Sequence, residues 1–142
     1  GDPGRGAVLD SLWKVCPNSW FEYGVFHEKM AAVYHRARLG VNHAVAPGEE
    51  KDLNMRFFEL ASVGVPQLAD ARMVGLVDLG FLPWEHYIPY NGNFNFDRVK
   101  MWLGTAASRH QAARALELVR SAHTYRHRLC TMLADIEIHM KE

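Results

Sequence analysis

The apolar positions of this chain fall into two spacings, helical stripes and short unbroken runs, and the two take turns along its length. Over residues 7–14, Val8, Leu9, Leu12 and Trp13 share one side while Arg5, Asp10 and Lys14 share the other, the period of a helix laid on a sheet. Met30, Val33, Tyr34 and Ala37 repeat that pattern over residues 26–38. Residues 39–45, LGVNHAV, form the clearest strand, short and mostly apolar as a strand buried on both faces should be. A helix is expected over residues 55–63, a strand over 66–69, a short helical turn over 72–79 and an edge strand at 87–90, where Pro89 cannot donate to a ladder. Helical stripes follow over 96–104 and 108–122. Thr124 then caps a last helix that runs through Leu129, Met132, Leu133 and Ile136 to a frayed end.

Between these elements lie the breakers. Residues 1–6, GDPGRG, read as a loop or frayed end, and Val15 with Cys16 as the start of a short strand stopped by Pro17. Residues 18–24 are aromatic and turn-like, with Trp20, Phe21, Tyr23 and the nearby Phe26 forming a packed edge. The polar stretch 46–53 is the candidate for a mobile active-site loop, and Asn91-Gly92-Asn93 signals a turn. Asn54 is placed to cap the helix that follows it, Gly64 suits the left-handed position after that helix, and Pro66 makes the stop firm. Helices alternating with short strands predict an α/β fold, a Rossmann-like three-layer sandwich with helices on both faces of a parallel sheet. Residues 39–45 and 66–69 are expected among its central strands. At 142 residues the expectation is one domain over residues 1–142.

Composition narrows the partners. Sixteen basic and sixteen acidic residues balance, so the chain lacks the broad positive surface that a polynucleotide requires, and no nucleic acid is expected. No stretch approaches the roughly 18 apolar residues of a membrane span. Cys16 and Cys130 sit far apart in no metal-like or redox-like spacing, which predicts reduced thiols and a cytoplasmic protein.

Four residues stand out as candidates for chemistry. The Asn54 helix offers an N-terminus whose unpaired N–H groups favour an anion, and Arg56 in its first turn is suited to phosphate oxygens. The plainer reading pairs Arg56 with Glu59 three residues on, worth about 0.2–0.5 kcal/mol. Glu59 lies among Phe57, Phe58, Leu60 and Ala61, close to the side that must pack on the sheet, and a charge so placed has a partner or a task. His43 falls near the carboxyl end of its strand, where open parallel sheets bind ligands, although a hydrogen-bonded core histidine fits it equally well. His123 and His127 stand one helical turn apart, but no third ligand accompanies them, so no metal site is expected. A P-loop, a nucleophile elbow and a complete G-x-G-x-x-G are all missing.

Arg56-Phe57-Phe58-Glu59, followed by Ala61-Ser62-Val63-Gly64-Val65-Pro66 and Asp70, resembles the R-x-F-E-x-x-A-x-G-x-P pattern of group 1 glycosyltransferases with the two-Rossmann-domain (GT-B) architecture. It is most similar to the branch that includes spore-maturation-protein-like transferases. His123-Thr124-Tyr125-Arg126-His127-Arg128 is similar to the H-T-Y-x-x-R that opens the last helix in those proteins. The resemblance implies the C-terminal, donor-binding half of a retaining enzyme that needs no metal or other cofactor and takes a UDP- or GDP-sugar. An N-terminal GT-B domain would then supply the acceptor site from outside these residues. Glu59 matches the glutamate that accepts hydrogen bonds from the donor ribose, Arg56, Asn54 and His43 complete the implied nucleotide-binding set, and no catalytic residue is assigned. Lys51 stands where many relatives carry an earlier glutamate, so that role is not carried over. The competing expectation is a non-catalytic α/β module used for protein interaction, which would not select nucleoside diphosphates.

Overall fold

The structure, a computed structural model, describes residues 3–19, 28–43, 53–91 and 96–139. Its elements in chain order are α1 (Pro3–Val15), α2 (Glu28–Arg36), β1 (Gly40–Asn42), α3 (Met55–Ser62), β2 (Gln67–Asp70), β3 (Ile88–Tyr90), α4 (Phe96–Trp102), α5 (Ala106–Ala122) and α6 (Tyr125–His139). The three strands form one parallel sheet in the order β1-β2-β3. Gly40 pairs with Gln67 and Asn42 with Ala69 on one side of β2, while Leu68 pairs with Ile88 and Asp70 with Tyr90 on the other. Helices stand on both faces, which makes the molecule the expected α/β, Rossmann-like layered fold.

Side-chain alternation decides what each face does. Gly40, Asn42, Gln67 and Ala69 point toward α3 and α5, where Phe57, Ala61, Met73, Leu76, Phe81, Tyr87, Ala115 and Val119 close a buried cluster. Val41, Leu68, Ile88 and Tyr90 point the other way, against Val99 and Trp102 of α4. Gly40 is glycine for want of room: a Cβ there would lie 2.5 Å from Leu60 Cδ2, so α3 rests directly on the β1 backbone. Pro89 sits in β3, an edge among the described strands, where a missing N–H costs least.

Local signals place the helix ends. After α3, Gly64 takes a φ of 69°, its N–H donates to the Ala61 carbonyl, and the Val65 N–H reaches back to Leu60. These are the two bonds of a Schellman stop, which satisfies carbonyls that would otherwise be orphaned. The Thr105 side chain accepts from the Ser108 N–H to start α5. At α6 the Thr124 hydroxyl accepts from the His127 N–H while the Thr124 N–H donates to His127 Nδ1, so a histidine takes the place of glutamate in a capping box.

Several expectations are corrected. Helix α1 begins at Pro3, runs through residues 4–6 and ends at Val15, and the Cys16 N–H after it donates back to the Leu12 carbonyl, so residues 15 and 16 start no strand. Trp13 is 53% exposed although the stripe assigns it inward; Leu12 alone of the described pair is buried. Residues 72–79 form no helix element but a series of turns: the Asp70 carbonyl accepts from the Met73 N–H, and the Leu79 and Phe81 N–H groups donate back to the Gly75 and Leu76 carbonyls. The strand expected over residues 39–45 is described only at Gly40–Asn42, and β2 begins one residue later than expected. The aromatic segment 20–24, the polar loop from 46 to 52 and the turn residues 92 and 93 lie outside the described residues. Among those residues no helix is long and apolar enough to cross a membrane.

Candidate functional site

In a parallel sheet all strands end on the same edge, and here each strand delivers one polar side chain to it. Asp70 is the last residue of β2 and Tyr90 the last of β3, the two in register, and His43 follows the last residue of β1. Alternation turns all three to the α4 side. The Asp70 side chain is fully buried, a costly position for a carboxylate unless its oxygens are satisfied. Arg72 meets that need with a two-pronged grip: Nε donates to Oδ1 at 2.8 Å and Nη2 to Oδ2 at 2.6 Å. The Arg72 backbone N–H adds a third bond to Oδ1 at 3.1 Å, closing an Asx turn directly after the strand.

His43 completes the group. Its Nδ1 lies 3.5 Å from Asp70 Oδ2 and 2.7 Å from the Tyr90 hydroxyl, and the two rings stack at 6.1 Å with 27° between their planes. Burial pushes the Asp70 carboxyl up, but the Arg72 hydrogen bonds and charge, with His43 behind them, outweigh it and leave the group below its ordinary value. Burial and the neighbouring Asp70 charge push the Tyr90 phenol well up, so Tyr90 keeps its proton. His43 Nδ1 and the Tyr90 hydroxyl share one hydrogen bond, whose direction follows the His43 tautomer.

The start of α3 lies at the same edge, because the helix runs back antiparallel to β1. Asn54 occupies its N-cap with extended backbone, φ −117° and ψ 156°, as expected. Its side chain makes no cap hydrogen bond, however, and Oδ1 is buried without a partner, which corrects the expected capping role. Asn42, fully buried on the same face as α3, is similarly unsettled: among the described residues Nδ2 reaches Met73 Sδ at 3.9 Å and Oδ1 meets no partner.

Arg56 and Glu59 form a second group, around Tyr34 of α2. Arg56 is exposed and hydrogen bonds the Tyr34 phenol; Glu59 is half-buried in the following turn. Burial first, and Glu59 second, push the Tyr34 phenol up, while Arg56 opposes them. No Arg56–Glu59 ion pair occurs among the described residues. The four sequence candidates therefore divide: Asn54, Arg56 and Glu59 follow one another along α3, while His43 meets Asp70 and Tyr90.

Sequence reasoning missed Arg72, placed in a helical turn, and gave no role to Asp70 or Tyr90. The signal was present in the Asp-x-Arg spacing immediately after a buried strand, where an Asx turn brings both side chains together. His123 and His127 have structural work instead. His123 Nε2 lies 2.8 Å from the Leu79 carbonyl with its ring 5.1 Å from Phe81, and His127 serves the α6 cap. No group of three metal-ligating side chains occurs among the described residues.

A family model described as glycosyl transferase-like matches residues 8–134. Neither the curated proteins nor the solved structures yield a match.

Proposed function

Since this chain belongs to the glycosyl transferase-like family, we propose that it binds the nucleotide-sugar donor as the C-terminal half of a GT-B glycosyltransferase of the spore-maturation-protein-like branch. The observation that carries this reading is the convergence of three parallel strand ends and the start of α3 on one edge, the place where open α/β sheets hold their ligands. The donor is a UDP- or GDP-sugar. Its ribose hydroxyls donate to the Glu59 carboxylate, and its diphosphate lies toward the α3 N-terminus and Arg56, where unpaired N–H groups and a guanidinium offset the charge that grows as the sugar departs. His43 faces the same edge and contributes an N–H. The acceptor site belongs to a second Rossmann-like domain across the cleft. The free thiols Cys16 and Cys130 fit a cytoplasmic setting.

Calorimetric titration with UDP and GDP tests the reading. The parent should bind one of them, and Glu59→Gln, nearly isosteric, should weaken that binding at least about tenfold, or about 1.4 kcal/mol. Glu117→Gln, on the exposed side of α5, should change nothing. Equal affinities in the parent and Glu59→Gln would remove Glu59 from the site. Failure of the parent to bind any nucleoside diphosphate would overturn the proposal.

A further inference from the structure

Among the described residues Trp84 is the non-glycine residue with a positive φ, 66°. Glycine takes that conformation freely, whereas a Cβ there crowds the backbone, so this turn is held against the preference of its own residue. The hold is explicit. The Trp84 N–H donates to the Tyr87 carbonyl at 2.7 Å, and the Trp84 carbonyl accepts at 2.9 Å from Nε2 of Gln111, a buried residue of α5. Before it the Leu82 N–H donates to His86 Nδ1 at 3.0 Å, and after it Glu85 pairs with Arg114, three residues beyond Gln111 on α5. None of these bonds uses the indole. The residue is 70% exposed, and among the described residues its ring meets no other ring and its Nε1 makes no hydrogen bond. A glycine would relieve the backbone and remove the exposed apolar surface, so folding gives no reason for a tryptophan here. Strain and exposure together mark a residue kept for something outside the chain.

We propose that Trp84, with Glu85 and Arg114, is a carbohydrate-binding site at which the indole stacks on a neutral hexose ring of a glycan. The indole supplies a flat apolar face with one N–H donor at its edge. Glu85 follows it in the chain, and the Glu85 contact with Arg114 runs between Oε1 and Nη2. Glu85 Oε2 and Arg114 Nε and Nη1 therefore make no other hydrogen bond among the described residues. A sugar ring matches this set, with a face of C–H groups to lie on the indole and a rim of hydroxyls that both donate and accept. A nucleoside phosphate would stack as well but would bring its negative charge toward the Glu85 carboxylate. An apolar protein surface would have to strip water from the Glu85 and Arg114 charges without replacing it. Trp84 lies four residues before β3, and Tyr90 closes the other end of that strand, so the site is separate from the strand-end cluster and does not depend on the donor reading. It holds a part of a glycan other than the sugar being transferred.

The test follows the indole N–H resonances of the isotope-labelled full chain by NMR, the Trp84 signal being identified by its loss in Trp84→Phe. The probes are cellobiose, maltose, lactose, mannobiose and N,N′-diacetylchitobiose, with glycerol as the control for a hydroxyl-rich solute that has no ring face. At least one disaccharide should shift the Trp84 signal saturably, and glycerol should not. Saturation-transfer NMR on that disaccharide then compares variants. Trp84→Gly should bind it at least about tenfold more weakly, Trp84→Phe should fall between parent and Trp84→Gly, and Arg114→Gln should weaken it by less than Trp84→Gly does. Because glycine suits the positive φ, Trp84→Gly should melt no lower than the parent, which separates loss of binding from loss of fold. A Trp84 signal that none of the five disaccharides moves, or equal binding by parent and Trp84→Gly, would overturn the proposal. Sedimentation covers a different occupant: a parent dimer that Trp84→Gly dissolves, with no disaccharide shifting Trp84, would overturn the glycan site in favour of a second copy of the chain.

Discussion

Around Phe57 the chain buries aromatic rings against one another; at the carboxyl edge of the sheet it buries a carboxylate. Phe57 meets Phe81 at 4.9 Å and Tyr87 at 5.4 Å, both nearly edge to face. Such contacts are additive and forgiving in direction, and they tie α3, the turns before β3 and α5 into one layer. The Asp70 group is the opposite case. Its members are few, each bond has a required partner, and removing one leaves a buried charge uncompensated. A layer of the first kind supplies rigidity, and a cluster of the second kind uses that rigidity to aim polar groups. The fold thus spends its polar burial at the strand ends, where a ligand can meet it.

This contrast breaks most visibly at Phe57. Phe57→Ala should cost about 3–5 kcal/mol of unfolding free energy, the range for emptying a fully packed aromatic site. Urea unfolding at neutral pH measures it, and a loss under 1 kcal/mol would mean the layer repacks.

Asp70→Asn sharpens the comparison from the other side, with an expected cost of about 1–3 kcal/mol at neutral pH from lost charge-assisted bonds. Its signature is the pH dependence. The folded Asp70 carboxyl lies below its ordinary 3.8, so as pH falls the unfolded chain takes up the proton first. The stabilisation is fully present above 3.8 and is lost as pH drops through the folded value. The stability curve of Asp70→Asn should therefore be flatter than the parent's on the acid side of that point. Parallel curves would show that Asp70 is not held as described.

The smallest effect belongs to Glu85→Gln, at the half-exposed pair with Arg114. Solvent and salt screen both charges, so the change should stay within about 1 kcal/mol. A loss as large as that of Asp70→Asn would erase the distinction between the two pairs.

Much of the layer architecture was legible because it rests on short-range rules. The alternation of stripes and apolar runs predicts parallel strands with helices on both faces, and Gly64-Val65-Pro66 predicts the end of α3 because a helix stop needs only its own last residues. The Thr124 cap was legible for the same reason. The last helix was legible too, whereas the exposure of its Leu129, Met132, Leu133 and Ile136 was not. A periodicity states which side is apolar without stating what covers it.

His43 could be singled out from its position near a strand end, and Glu59 and Arg56 from the resemblance, but their separation into two groups could not. Whether Arg56 pairs with Glu59 or with Tyr34 depends on where α2 comes to rest, a contact between segments some twenty residues apart. The grouping of His43, Asp70 and Tyr90 requires three strands in one register, Asn42 beside Ala69 and Asp70 beside Tyr90. Sequence determined that a polar residue stands at or just after each strand end, since local chain chemistry sets where a strand stops. Only the tertiary structure decided that these residues meet, because the sheet alone brings ends 27 and 20 positions apart in the chain to within hydrogen-bonding reach of one another.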